Sequence, residues 1–303
     1  MRTHHRSILA LVLLVAALPG PQYEAHAQNA GAVTLTHVHG LAYSADGRQV
    51  MVPSHHGLSI YHDGKWSKAP GPEHDYMGFA AARSRLYSSG HPADGSSLVN
   101  PFGLIRSADS GKTWEKLGLE GESDFHLLAV SWNTNAVYVW SPDRNSRMPI
   151  AGFYFTLNDG FAWQRMAAKG ISGKPRAIAV HPDDARVVAI ATSTGIFLSR
   201  NSGGSFEPIA VKGQGLTAFF DLDGKHLWHS SHDGSPRLVR TTLQGGASTA
   251  TTLPPLTNDA VAYVAQNPVN RKEYAIATFE RSIFVSGDAA KTWKQIAREG
   301  NGY

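Results

Sequence analysis

Three short stretches of this chain repeat one spacing: His37-Val38-His39, Asp75-Tyr76-Met77 and Asp124-Phe125-His126. Residues two apart on an extended strand point to the same side. Lined up as strands, the three stretches therefore offer His39, Met77 and His126 at one level and His37, Asp75 and Asp124 at the next. Asp259, just ahead of Ala260-Val261-Ala262-Tyr263, is a fourth aligned carboxylate, and further imidazoles stand in Ser54-His55-His56-Gly57 and Ser89-Gly90-His91-Pro92. With 15 His, 5 Met and no Cys, any metal must be held by imidazole, thioether or carboxylate. Imidazole with thioether suits copper, above all Cu(I) if Met77 or Met148 joins; imidazole with carboxylate suits Zn(II) or Cu(II). Asp75, Asp124 and Asp259 are also candidates for paired-carboxylate acid–base work. A plainer role stands beside both: histidines hydrogen-bonded within the fold, Met77 as core filler, and aspartates that cap strand ends or orient bound imidazoles. His181, His226 and His229 fall in turns or outer strands, apart from the aligned set.

What carries these side chains is a chain of 303 residues, 42% hydrophobic and 17% charged, with 30 Gly and 16 Pro. Such a composition excludes collagen, coiled coil, a disordered polyelectrolyte and a polytopic membrane protein. Arg2 and Arg6, the apolar run 8–18 and Ala25-His26-Ala27 read as a secretory signal cleaved near Ala27. The expected mature chain, 28–303, is one domain with no integral membrane segment, periplasmic or secreted. Removing the leader leaves 26 basic residues, 23 acidic ones and 12 His. That balance, with no Lys/Arg cluster, gives no nucleic-acid signature. Without disulfides the domain must rest on its own core, for which its length is sufficient.

The positioning elements come from an internal repeat. Ser107-Ala108-Asp109-Ser110-Gly111-Lys112-Thr113-Trp114 returns at 156–163, as Ser199-Arg200-Asn201-Ser202-Gly203-Gly204-Ser205-Phe206, and at 286–293 with Ala290 in the glycine position. A degenerate copy precedes Trp66. The aromatic anchors, with one double gap, mark six units of about 45 residues, each with four short apolar runs separated by turns. This pattern predicts an all-β fold, a six-bladed β-propeller with four-stranded blades.

The octets resemble Asp-boxes, the hairpins of sialidases and related BNR-repeat propellers. The structural residues that the resemblance marks are Asp109, Gly111, Trp114, Asp159, Gly160, Trp163, Asn201, Gly203, Phe206, Asp288 and Trp293. In them Asp or Asn caps the turn, Gly takes a positive φ and the aromatic packs the hairpin onto its blade. The resemblance also implies that ligands bind at the opposite end of the barrel, on the starts of first strands and the loops between second and third strands. That end would carry His37, His39, His55, His56, Asp75, Met77, His91, Asp124, His126 and Asp259.

Sialidase-like chemistry itself needs an Arg triad, and the first of these normally lies in a Phe/Tyr-Arg-Ile-Pro stretch. The corresponding segment here is Thr36-His37-Val38-His39-Gly40. Arg176 is the one Arg on an aligned first strand; Arg144, Arg147, Arg237 and Arg281 are loop candidates. The leading expectation is therefore an exported binding protein for a transition metal, copper ahead of zinc, through His39, Met77 and His126 with help from His37, His55, His56 or His91. No organic cofactor is indicated. The alternatives are a glycoside hydrolase using two carboxylates about 5 to 9.5 Å apart, and a scaffold or assembly propeller with a periplasmic protein partner.

Overall fold

The computed structural model describes residues 33–209 and 213–303, and no helix occurs among them. The expected leader, 1–27, lies outside the described residues. Runs of Val, Ile, Ala, Phe and Tyr between Gly and Asp turns form six antiparallel sheets. Blade one holds β1 (Ala42–Tyr43), β2 (Val50–Ser54), β3 (Gly57–His62) and β4 (Lys65–Lys68). Blade two holds β5 (Asp75–Ala81), β6 (Leu86–His91), β7 (Leu104–Ser107) and β8 (Glu115–Gly118). Blade three holds β9 (Leu128–Val130), β10 (Val137–Ser141), β11 (Gly152–Thr156) and β12 (Gln164–Arg165). Blade four holds β13 (Pro175–Val180), β14 (Val188–Thr192), β15 (Gly195–Ser199) and β16 (Glu207–Ile209). Blade five holds β17 (Gln214–Phe220), β18 (His226–His232), β19 (Pro236–Thr242) and β20 (Ser248–Ala250). Blade six holds β21 (Val261–Gln266), β22 (Tyr274–Thr278), β23 (Ile283–Ser286), β24 (Lys294–Arg298) and a fifth strand, β25 (Asn301–Gly302). The innermost strands β1, β5, β9, β13, β17 and β21 each touch the next, and β21 returns to β1, which closes a six-bladed β-propeller.

The core lies between blades. Six apolar clusters form, one at each junction, such as Met51 and Leu58 of blade one against Tyr76, Phe79 and Ile105 of blade two. The seal between blades six and one gathers Val33, Leu35, Leu41 and Trp66 with Ala275, Ile283 and Ile296. Trp66 Nε1 donates to Ile296 O at 2.7 Å across this junction. Sequence pattern leaves open whether the segment 32–36 adds to the last blade. Within the described part of that segment, residues 33–35 do: Thr34 bridges Asn301, Leu35 N donates to Gly300 O at 2.6 Å and Gly302 N to Val33 O at 3.0 Å.

All four octets fold alike. In the first, Gly111 N donates to Ser107 Oγ (2.8 Å), and Thr113 gives both its N–H (2.9 Å) and its hydroxyl (2.6 Å) to Asp109. These bonds hold the Asp109 carboxyl down at about 2. Two details differ from expectation. In the second octet the cap is Asn158, which accepts from Ala162 N at 3.0 Å. Asp159 instead has φ 55° and reaches back to blade two, accepting from Tyr87 OH (2.6 Å), Arg85 (3.2 Å) and Arg106 (2.5 Å). The aromatics also pack across a junction rather than onto their own blade alone: Trp114 joins the cluster of blades one and two. Ala290 takes φ 64°, the conformation that glycine adopts more cheaply.

Candidate functional site at the channel mouth

In an antiparallel blade the turn between second and third strands lies at the same end as the start of the first strand. The mouth so defined collects residues from several blades, and the octet turns lie at the other end. His37 and His39 stand in the irregular lead-in to β1, His55 in the β2–β3 turn, Asp75 at the start of β5 and His91 at the end of β6. Asp124 and His126 precede β9.

Strand alternation does not position them, contrary to expectation. Residues 37–41 and 124–127 are not strand at all, and β5 carries a bulge between Tyr76 and Phe79. Bulges recur near the same end of β13, β17 and β21. Six inner strands crowd together there, and the extra residue re-aims side chains that a regular pleat would alternate. The bulge also removes the basis for pairing Met77 with Asp75. Met77 is buried, and a Cβ on Gly78 would run into Phe125 O, so the bulge lets blades two and three approach closely.

The imidazoles nevertheless converge. Ring nitrogens of His37, His39 and His55 lie within 4.8 Å of one another. His39 and His55 stack at 5.0 Å between ring centres, and His37 meets both edge-on at 5.3 and 4.7 Å. Asp75 stands 3.9 Å from His39 Nε2 and 4.0 Å from His55 Nε2. Beside this group, Asp124 Oδ2 receives two imidazoles, His126 Nε2 at 2.6 Å and His91 Nε2 at 3.1 Å. Three polar atoms of the cluster, His39 Nε2, Asp75 Oδ1 and Asp124 Oδ1, are buried without a hydrogen-bond partner.

Protonation divides the set. Burial, reinforced by the neighbouring His55, His37 and His126, depresses the His39 imidazole to about 4. His126 goes the other way: its hydrogen bond to Asp124 raises it, against a smaller opposing effect of burial. The mouth thus holds one imidazole kept neutral and one biased towards imidazolium.

The remaining expected residues lie elsewhere or are already engaged. His56 is exposed on the turn that carries His55, and Met148 is fully buried in the core between blades two and three. Asp259 Oδ1 accepts from Ala260 N at 2.8 Å and Glu280 N at 3.0 Å, so it pins the β22–β23 turn. Arg281 donates to Thr36 O and Arg176 to Gln214 Oε1. His181 bonds Gly224 O from its turn, whereas His226 and His229 lie in β18, an inner rather than an outer strand, where His229 is buried and bonds Thr241. A second acid–imidazole group, Asp221, Asp223 and His226, centres on a buried Asp221 that accepts from Trp228, Tyr274 and Arg240. It is a cross-blade tie.

Sequence reasoning missed the supporting cast. His74 is buried and accepts from Ala93 N at 2.9 Å, which holds the loop after His91, and Asn100 bonds His91 Nδ1 at 2.7 Å. Behind the mouth runs an apolar central cavity of about 670 Å³. His39 and His126 line it together with Trp140, Lys174, Arg176 and Phe279. Lys174 and Phe279 have a signal in the sequence, since one stands at the start of a first strand, as Asp75 does, and the other in a turn between second and third strands, as His55 does.

No family model matches the chain. A xyloglucanase of Paenibacillus sp. is 25% identical over 224 residues, 70% of this chain but 21% of that protein. Among solved structures, the GH74 enzyme of Niastella koreensis superposes with a TM-score of 0.61 at 17% identity, over 88% of this chain and 46% of that one. The GH74 xyloglucanase of Xanthomonas campestris gives 0.56 at 16% identity, with the same coverages. The chain thus spans about a fifth of the curated relative and less than half of each enzyme structure. These likenesses place it among β-propellers with glycoside hydrolase neighbours.

Proposed function

We propose that this protein is a transition-metal-binding propeller acting in the periplasm, its ligand site the imidazole cluster at the channel mouth. The observation that carries this reading is the convergence of His37, His39 and His55 within 4.8 Å around a buried, unpartnered His39 Nε2. A buried polar atom without a partner costs about 1–3 kcal/mol, and a bound cation would remove that cost for His39 and for the adjacent carboxylates. His39, neutral down to about pH 4, needs no deprotonation before it ligates. With Met148 in the core and Met77 at a bulge, the donors at hand are nitrogen and oxygen, which favours Cu(II), then Zn(II), over Cu(I). Titration of the mature protein with Cu(II) and Zn(II) tests it: binding tighter than micromolar is expected, lost in H39A/H55A. No binding, or binding indifferent to that substitution, overturns it.

Glycoside hydrolysis is the second reading, and the comparisons favour it over metal binding, since the relatives and fold neighbours include xyloglucanases. It would use Asp75 and Asp124. Against it, Asp124 Oδ2 is already engaged by two imidazoles, His126 Nε2 at 2.6 Å and His91 Nε2 at 3.1 Å. Release of sugar from xyloglucan, abolished by D75N or D124N in metal-free protein, would establish this reading in place of the first.

A further inference from the structure

We infer that the central shaft is a binding site for an elongated amphipathic organic anion, its apolar body lying along the shaft and its single charged head on Lys174 and Arg176 of blade four. The inference goes beyond the metal reading and does not depend on it. The shaft holds about 670 Å³, within the roughly 300–1,000 Å³ of small-molecule sites. All six inner strands bound it, and each lends it at least one alanine, among them Ala42, Ala80, Ala129, Ala179, Ala218 and Ala265. Those short side chains leave a bore where larger ones would fill it. The shaft runs from the mouth, at Lys174 and Phe279, to Pro182 and Gln266 near the octet end. The strands β13, β17 and β21 line it with 6, 7 and 6 residues, which at 3.3 Å per residue is about 20 Å. The space is therefore long rather than round.

Two observations define the occupant. The wall is apolar but not packed shut: Leu127, Trp140, Phe219 and Tyr263 are only half-buried, and Phe279, in the β22–β23 turn at the mouth, is 54% exposed. Apolar surface held in water is surface that an apolar ligand body gains by covering. The second observation is charge. Lys174 and Arg176 line the shaft, and no carboxylate does among the described residues. Arg176 is the extra residue of the β13 bulge, between the paired Pro175 and Ala177, and a bulge re-aims the side chain it inserts. It is exposed and bonds a neutral partner, Gln214 Oε1, at 2.7 Å. Lys174 is exposed as well, its backbone N–H fixed by Ser193 Oγ at 2.9 Å. The acids of the mouth stand on other blades and are engaged there: Asp75 beside His39 and His55, Asp124 with His91 and His126, and Asp259 on backbone N–H groups. Blade four thus sets an ammonium and a guanidinium at the rim of an apolar shaft. A carboxylate or phosphate head matches the guanidinium fork, and a neutral head would leave both cations unused.

Calorimetric titration of metal-free mature protein at pH 8 tests this, with decanoate as the probe and 1-decanol as its uncharged counterpart of equal length. Decanoate is expected to bind at one equivalent with a Kd below about 0.1 mM, and 1-decanol about tenfold more weakly or worse. K174Q/R176Q, which changes two exposed side chains, should weaken decanoate by about tenfold or more and leave 1-decanol unchanged. Its circular dichroism spectrum should match that of the unsubstituted protein. Nuclear Overhauser contacts from the decanoate methylenes should reach the rings of Trp140 and Tyr263. Absence of decanoate binding, equal affinity for 1-decanol, an unchanged decanoate affinity in K174Q/R176Q, or methylene contacts outside the shaft each overturns the inference. None of these results touches the Cu(II) and Zn(II) titration, so the two readings fail separately. Because decanoate and 1-decanol are compared on the unsubstituted protein, a variant that does not fold leaves the test intact.

Discussion

His39 is mostly buried, touches two other imidazoles and titrates near 4 rather than at the ordinary 6.5. The unfolded chain therefore takes up this proton at higher pH than the folded one. Its contribution to stability is complete above about 6.5 and is lost as pH falls towards 4, and buried His229, also near 4, acts in the same direction. Metal-free protein should show a melting temperature that drops between pH 6.5 and 4, and the drop should be smaller in H39Q. An equal drop in H39Q would assign the acid sensitivity to other groups. His126 has the opposite sign: raised by Asp124, it favours the fold while protonated and loses that contribution as pH rises through its elevated value. Asp124→Asn removes the largest cause of the increase, so the His126 ring resonances in NMR should titrate at lower pH than in the unsubstituted protein. An unmoved midpoint would show that the pair seen at 2.6 Å does not form in solution.

At the scale of strands, the mouth depends on the bulge in β5. Gly78 has no room for a side chain, because a Cβ there meets Phe125 O and Leu128 Cβ of blade three, whereas a Cβ on Gly64, at φ 78°, meets nothing within 4 Å. Gly78→Ala should cost about 1–3 kcal/mol by overpacking and also shift the NMR midpoints of His39 and His126, since it pushes apart the blades that carry Asp75 and Asp124. Gly64→Ala should cost about 1–2 kcal/mol from backbone strain alone and leave both midpoints in place. Equal midpoints in the two variants would refute the bulge as the positioning element. The same contrast explains what was legible in the sequence. The octets were readable because their bonds are local: Ser107, Asp109, Gly111 and Thr113 satisfy one another within a span of a few residues. Blade number followed from that frame, and so did the end of the barrel at which His37, His39, His55, Asp75, His91, Asp124 and His126 gather, but not the exclusion of Met77, Met148, His56 and Asp259. The period of two did not survive at the mouth, because bulges and irregular lead-ins replace strand there, so Met77 was grouped with the histidines on a pleat that does not exist. Partners distant in sequence, such as Asp159 with Tyr87 and Arg106, leave no local signal. Nor does the exposure of His56 beside the inward His55.

Over the whole molecule, a ring of six blades has one junction unlike the others, the one that the chain closes with its two ends. Every other junction joins blades consecutive in sequence, so only here does loop-closure entropy span nearly the full chain. The seal uses Leu35, fully buried, and Val33, nearly so, held by the backbone of Gly300 and Gly302, with Trp66 bonded to Ile296 O and Asn267 Nδ2 to Gly47 O at 2.7 Å. Full burial of side chains this size is worth about 1.5–3 kcal/mol each. Removing 300–303 deletes the strand partner of residues 33–35 and uncovers both, so a loss of about 2–4 kcal/mol follows after partial relaxation. The loss should also be localised. Hydrogen exchange should accelerate in β1–β4 and β21–β24, which flank the seam, well before β9–β16 on the far side of the ring respond. Because His37, His39 and His55 hang from the seam side and Asp124 and His126 do not, the truncated protein should lose the clustering of the first three imidazoles while the His126–Asp124 pair persists. Ring resonances report this directly, with His39 returning towards 6.5 and His126 staying raised. If both groups changed together, the ring would have to behave as one cooperative unit in which no junction is privileged.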